Sequence, residues 1–414
     1  MLKTLANSCV FLSIFLAGIV YYVCFYITCS DNVARDFPPQ QPLQGVAPIQ
    51  ENSLQDIIQI LDDAEGECHW DEGDWVWDES YPLYESRNCE FLDQAFRCSE
   101  NGRPNNSYSK WRWQPKNCNI PRFDAVTMLE KLRNRRLVFV GDSMGRNQWQ
   151  SLLCMLSSAI AEKDSIYEVN GNKITKHTGF LIFKFKSYNC TVEYYRSPFL
   201  VMQGQLPSGA PEKVEMLLKL DVMDSSFVQW RDADILIFNT GYWWNHCKIK
   251  KRGCYFQIGD NVKTDMSIES AYRKSIETLF LWLSKEVNSS KTVIFRTYAP
   301  AHYRDRESVR HCHLKMKPEI SSSLMLSSPS WAYLMNPIIE LPSAIDSELF
   351  SWEIMNVTQM TALRPDGHPS IYYLGATAGP APLKEQDCRH WCLPGIPDAW
   401  NELLYARILT GYLL

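Results

Sequence analysis

Several things are missing from this 414-residue chain, and each absence removes a class of function. No long run of Lys or Arg stands out. With 42 basic against 47 acidic side chains the formal net charge is −5, so the electrostatic footprint of a nucleic-acid partner is lacking and none is predicted. No glycine-rich loop of the kind that cradles nucleotide phosphates is present, and no bound cofactor is predicted. Paired C-x2-C units are absent as well, so the 14 cysteines do not read as a zinc site. The remaining metal candidates, His246-Cys247 and His311-Cys312-His313, stand isolated, and no metal is expected. No internal repeat is visible, and 45% hydrophobic with 21% charged residues is ordinary for a globular chain with a real core.

Leu5 to Thr28 is almost wholly apolar and carries no charge, which is long enough to cross a bilayer core. Bulky Tyr21, Tyr22, Phe25 and Tyr26 fill its far end where a cleaved secretory signal would have small residues, so 5–28 is predicted to be an uncleaved signal anchor. Lys3 in the short tip 1–4 then favours a cytosolic amino terminus and a lumenal remainder. Four N-x-S/T sequons, at Asn105, Asn189, Asn288 and Asn356, fit a chain that enters the secretory lumen and are candidate glycan acceptors.

Residues 29–66, rich in Pro, Gln, Asp and Glu, read as a lumenal stalk, within which SLQDIIQILDDAE has helical apolar spacing. From 67 to 120 the chain is dense in Trp, Tyr and Cys with little periodicity, as in a loop-rich lobe held by disulfides and aromatic packing that is not expected to fold alone. Three cysteines, Cys9, Cys24 and Cys29, lie in or beside the span; the other 11 of the 14 form an odd set in an oxidising compartment. Among them Cys247 and Cys254, in HCKIKKRGC, have the spacing of a local loop closure, and Cys190 has no evident partner.

An α/β pattern fills 121–414. A helix-like run at Phe123–Leu132 leads to the strand LVFV at 137–140, a GDS turn and a helix-compatible MGRNQWQSLLCMLSSAI. FLIFKF and TVEYYRS read as adjacent strands. DADILIFNTG and KTVIFRTYAP read as buried parallel strands, and the amphipathic SIESAYRKSIETLFLWLSKEV between them makes a βαβ unit. DAWNELLYARILTGYLL closes the pattern as a helix.

A serine at the top of a strand and the mouth of a helix has an exposed hydroxyl beside free backbone N–H groups, so Ser143 in Gly141-Asp142-Ser143 is a candidate nucleophile. Read alone, the same tripeptide is also a helix-capping turn. Far along the chain, Asp387-Cys388-Arg389-His390-Trp391-Cys392 sets an acid and a base three residues apart. A nucleophilic serine needs an imidazole to take its proton and a carboxylate to fix that imidazole's tautomer, and Asp387 and His390 supply both.

LVFVGDSMGRNQWQSLLCML, NTGYWW and QDCRHWCLPGIPDAWNELLY together resemble the plant trichome birefringence-like family of polysaccharide O-acetyltransferases, from about Cys68 to the end. The resemblance implies an SGNH-hydrolase-like three-layer α/β/α domain with a smaller cysteine-rich lobe, anchored in the Golgi membrane as a single-pass type II protein. It implies Ser143 as acyl-accepting nucleophile, His390 as general base and Asp387 as its orienting partner. By the same analogy Cys68 pairs with Cys118, Cys89 with Cys154, Cys98 with Cys392 and Cys312 with Cys388. The backbone N–H of Ser143 and the side chain of Asn239 are oxyanion-hole candidates; Arg146 and Asn147 are candidates for holding substrate or the catalytic loop; Trp243 and Trp244 are candidate sugar platforms. The implied partners are a wall polysaccharide acceptor (xylan, mannan, xyloglucan or pectin), the membrane, and a multi-pass protein that supplies acetyl. An acetyl donor is required and unidentified. The alternatives are an acetylesterase with the same triad and a non-catalytic polysaccharide-binding protein.

Overall fold

The computed structural model describes residues 68–287, 291–302, 312–319, 329–342 and 351–410. The apolar stretch 5–28, the stalk with its helical spacing and the Asn288 sequon lie outside them. Among the described residues no helix is long and apolar enough to cross a membrane.

In chain order the strands are β1 (Gly73–Trp77), β2 (Trp111–Pro115), β3 (Arg136–Gly141), β4 (Ile166–Glu168), β5 (Phe180–Phe185), β6 (Cys190–Arg196) and β7 (Val201–Gly204). They continue with β8 (Met216–Met223), β9 (Ile235–Asn239), β10 (Cys254–Ile258), β11 (Asn261–Lys263), β12 (Thr292–Arg296) and β13 (Ser351–Met355). The main helices are α1 (Ala125–Lys131), α2 (Ser143–Ser157), α3 (Ile268–Glu286), α4 (Pro329–Glu340) and α5 (Ile396–Leu409).

The central sheet runs β13-β12-β9-β3-β6-β5-β4. Its first five strands are mutually parallel, and β5 and β4 continue it as an antiparallel edge. Alternate residues of each strand point to opposite faces, so one sheet feeds two cores. Leu137, Phe139, Ile235 and Ile237 pack toward α1, α2 and α5, together with Phe96 and Trp113 of the amino-terminal lobe. Val138, Val140, Leu236 and Phe238 pack toward α3 and α4. β9 is therefore buried along its whole length, which explains why ILIFN is apolar without alternation. A second sheet, β11-β10-β8-β7, lies on the α3 side. Sequence reading missed it because three of its strands, β7, β10 and β11, are short and their directions are mixed.

The lobe contains a two-stranded antiparallel sheet, β1 with β2, in a stretch expected to be loops; its Trp75–Trp113 and Trp77–Trp111 pairs meet edge to face across the strands. Four disulfides brace the structure: Cys68–Cys118 within the lobe, Cys89–Cys154 and Cys98–Cys392 from the lobe to α2 and to the segment before α5, and Cys312–Cys388. The local closure expected of Cys247 and Cys254 does not form, and neither these two nor Cys190 is in a disulfide. Cys254 opens β10, and strand geometry turns its thiol into the second core, where burial pushes it up to about 12. Cys190, buried on β6, is likewise pushed up to about 11.

Lobe and α5 also meet through buried acids. Tyr81 Oη donates to Glu402 at 2.6 Å, and Asp398 accepts from Ser151 Oγ at 2.6 Å and Tyr84 Oη at 3.1 Å. Burial pushes both carboxyls up to about 7, with their neighbours' hydrogen bonds opposing it. A carboxyl raised above its unfolded value favours the fold at low pH, and that contribution is lost as pH rises toward 7. Glu402→Gln keeps the protonated shape at every pH. Its melting temperature relative to wild type is therefore expected to climb by several degrees between pH 5 and pH 8; a pH-independent difference would show that Glu402 is ionised throughout.

Candidate active site

The site is built at the carboxyl ends of β3, β6 and β9. β3 delivers Gly141 to the sheet's rim, and Asp142, in extended conformation, caps α2 by accepting the Met144 N–H at 2.9 Å. Every residue of α2 after the first is buried; Ser143 alone keeps solvent access. The capping role and the nucleophile position are thus taken by two adjacent residues, so the two readings of the tripeptide are compatible.

His390 Nε2 lies 2.8 Å from Ser143 Oγ, and His390 Nδ1 lies 2.7 Å from Asp387 Oδ2. A carboxylate only accepts, so Nδ1 carries the proton and Nε2 offers its lone pair to the serine hydroxyl. Asp387 Oδ1 also accepts the Arg389 and His390 N–H groups. Burial alone would raise the Asp387 carboxyl, but the His390 imidazole, its hydrogen bonds and the Arg389 guanidinium outweigh that and hold it well below the usual carboxylate range.

Three devices fix the segment carrying the acid and base. Cys388 and Cys392 stand on either side of His390 and are tied to Cys312 and Cys98. Asn147, one turn into α2, clasps the next residue: its Oδ1 accepts the Trp391 N–H at 2.8 Å and its Nδ2 donates to the Trp391 carbonyl at 3.2 Å. From below, His368 Nδ1 donates to the His390 carbonyl at 2.7 Å, and His302 Nε2 to the Ala362 carbonyl at 2.9 Å. The rings' other nitrogens, His302 Nδ1 and His368 Nε2, meet at 2.7 Å, a hydrogen bond only when the pair holds a further proton. Burial opposes that proton, pushing His302 down to about 4 and His368 well below its ordinary value.

The other candidates divide. Asn239 ends β9 opposite Gly141 and is buried; its Nδ2 donates to Asp142 Oδ1 at 2.6 Å, which leaves one amide hydrogen for another acceptor. A Cβ on Gly141 or Gly145 would collide with this Asn239 side chain, so both glycines are spatial requirements of the pairing. Of the two roles open to Arg146, its contacts match the one beside the catalytic loop: it is buried, ion-paired with Asp93 of the lobe at 2.9 Å and set over Phe96, whose ring neighbours His390 at 5.5 Å. Trp244 is corrected. It is fully buried against Phe199 and Tyr272, with Nε1 donating to Thr240 Oγ1, and serves the core. Trp243 is half-exposed at the rim, but its ring carries Lys248 and Arg196.

Among the sequons, Asn189 is exposed in a left-handed turn between β5 and β6, and Asn105 is half-exposed. Asn356 Nδ2 is already bonded to Asp71 at 2.7 Å, and its Oδ1 accepts from Thr297 and Thr358, so a glycan there would have to break these contacts. Sequence reading missed Phe96, His368, Tyr242, whose hydroxyl accepts from Arg389, and Arg296, a fully buried guanidinium whose charge favours an ionised Asp142 against that carboxyl's burial.

Known proteins are similar to this chain over most of its length. Residues 120–407 match the model of the PC-esterase family, a GDSL/SGNH-like acyl-esterase family found in Pmr5 and Cas1p, and residues 66–119 match the PMR5 N-terminal domain. Arabidopsis thaliana protein trichome birefringence-like 7 is 44% identical over 339 residues, 82% of this chain and 72% of that protein. Trichome birefringence-like 9 from the same plant is 42% identical over 353 residues, 83% of this chain and 84% of its own length. Trichome birefringence itself is 37% identical over 365 residues, 87% of this chain and 59% of that protein.

Proposed function

This chain belongs to the PC-esterase family of trichome birefringence-like proteins, and from that membership and the geometry of Ser143 we propose that it is an O-acetyltransferase acting on a plant cell-wall polysaccharide. The observation that carries the proposal is the unbroken line Ser143 Oγ, His390 Nε2, His390 Nδ1, Asp387 Oδ2, with contacts of 2.8 and 2.7 Å.

In the first half-reaction His390 Nε2 takes the Ser143 proton as Oγ attacks the acetyl carbonyl of the donor. The oxyanion that forms lies at the α2 amino terminus, where the Ser143 N–H and the second amide hydrogen of Asn239 are donors on hand. His390 returns the proton to the leaving group, and acetyl remains on Ser143. In the second half-reaction a sugar hydroxyl gives its proton to Nε2 and attacks the acetyl-serine, and as the tetrahedral species collapses Nε2 returns that proton to the departing Ser143 Oγ. Asp387 stays ionised throughout and holds the imidazolium. The acceptor is xylan, mannan, xyloglucan or pectin. The setting is the Golgi lumen, with the chain anchored through 5–28 and acetyl supplied across the membrane by a multi-pass protein.

Hydrolysis by the same triad is the second reading, favoured by the acyl-esterase description of the matched family. The two separate in one experiment. The full-length chain is given an isotopically labelled activated acetyl ester, with and without wall oligosaccharides, and followed by mass spectrometry. Acetyl on Ser143 that passes to an oligosaccharide faster than to water supports transfer; release to water alone establishes the esterase; a folded protein never labelled on Ser143 overturns both.

A further inference from the structure

The last residue of β12, Arg296, is fully buried, and strand register decides where it points. Val140 of β3 and Phe295 of β12 both pair with Phe238 of β9, so the residues that follow, Gly141, Asn239 and Arg296, stand in one row across three strands. All three turn to the same face of the sheet, the one that also carries Ile294 and is covered by α2 and α5. There the guanidinium lies over the Trp400 ring of α5, 5.0 Å from its centre, and Nη1 donates to the Thr297 carbonyl at 2.9 Å. Its Nε and Nη2 have no hydrogen-bond partner among the described residues. A buried cation held by so little weakens the fold, so its use lies in the site beside it. The opposite charge that it faces is Asp142.

Resting on the acyl-serine chemistry above, we infer that Arg296 is a positioning residue for the oxyanion hole: its charge keeps Asp142 a pure acceptor, and that fixes which way the Asn239 amide is turned. An ionised carboxylate cannot donate, so Asn239 meets it with Nδ2, at 2.6 Å, and keeps its second amide hydrogen for the oxyanion. A protonated Asp142 carries a hydroxyl that needs an acceptor, and the nearest is Asn239 Oδ1. An amide turned over to accept it takes its hydrogens to the place where Oδ1 now lies against Gly145, and the Ser143 N–H is left alone against the developing charge. Burial pushes the Asp142 carboxyl up, and Arg296 is foremost among the groups that oppose this, ahead of the Met144 N–H, the Asn239 amide and His390. The other ionisable groups facing Asp142 are Tyr194 on β6 and Tyr272 on α3, and burial keeps both of them neutral. His390 is engaged by Ser143 and Asp387, which leaves Arg296 as the standing positive charge.

The test follows acetylation of Ser143 by a small chromogenic acetyl ester on the full-length chain, without an acceptor, so that only the first half-reaction is read. Arg296→Met is expected to lower the maximal rate about a hundredfold at pH 5.5 and to leave the half-saturating ester concentration nearly unchanged, as loss of one oxyanion donor does. Without the guanidinium the Asp142 proton persists to higher pH and leaves as pH rises, so the ratio of wild-type to variant rate is expected to shrink at least about tenfold by pH 8.5. Arg296→Lys keeps the charge and is expected to recover most of the rate. The melting temperature of Arg296→Met is expected to be no lower than that of wild type, because methionine fills the site with no charge to bury. Asp142→Asn accepts without ever gaining that proton, and in its presence Arg296→Met is expected to add almost nothing. A rate loss of equal size at both pH values, or one that adds in full to that of Asp142→Asn, overturns the inference; so does a variant that loses rate and stability together and is not rescued by Lys. If Ser143 of folded wild-type protein is never labelled, the acyl-serine reading itself fails. If wild type is labelled and Arg296→Met is labelled as fast at pH 5.5, only the role of Arg296 fails.

Discussion

Asp387→Asn is expected to lower kcat by about 10⁴-fold while leaving the fold and the KM for the donor nearly intact. The Asn side chain can still accept the Arg389 and His390 N–H groups that Asp387 Oδ1 accepts, so the turn survives. What it loses is the charge that keeps the proton on His390 Nδ1: an amide can turn its NH2 toward the ring and drive the proton to Nε2, where it blocks acceptance from Ser143. Because the wild-type carboxyl is held far below its ordinary range, its own titration does not limit activity at mildly acidic pH. Steady-state kinetics on a chromogenic acetyl ester, with circular dichroism as a folding control, decide the matter. A variant within tenfold of wild type would remove the carboxylate from the mechanism.

The second large effect concerns stability. Cys98–Cys392 spans 294 residues, against 50 for Cys68–Cys118. In the chain-entropy account, cutting the long ring by Cys98→Ala with Cys392→Ala costs about 6 kcal/mol, and cutting the short one by the matching pair of substitutions about 4 kcal/mol. The kinetic consequences differ far more. Cys392 lies two residues beyond His390, whereas the Cys68–Cys118 bridge lies in the lobe and touches no residue of the triad. Urea unfolding should therefore show both variants destabilised, with kcat reduced at least tenfold only in the first. Equal kcat in both variants would mean that Asn147 and His368 hold the catalytic loop without the disulfide.

Much of the architecture was legible because it is local. The β9, α3, β12 unit appears where an apolar run, an amphipathic helix and a second apolar run follow one another, and β12 pairs with β9 in parallel as such a crossover requires. Ser143 was legible because a strand, a turn and a helix announce its position within a few residues, and Asp387 with His390 because they share one turn. The disulfide pairing was not in the spacing; it came with the family resemblance. Trp244 misled because it flanks the site in sequence but is turned into the core. Arg146, open between substrate and the catalytic loop, is drawn toward Asp93, and in both cases direction is decided by partners far along the chain. The support under His390 was invisible for the same reason, since His302 and His368 are 66 residues apart and acquire meaning only when the fold brings their rings together.

The two bridges beside His390 have a consequence for the catalytic loop. In chain order Cys98 comes early, and Cys392 follows 294 residues later. The base and its acid lie just ahead of that last cysteine, so the base follows Ser143 in the chain by 247 residues. Until these bridges close, the loop that carries the base rests on Asn147 and His368, and a molecule reduced at both is expected to turn over more slowly than the oxidised one.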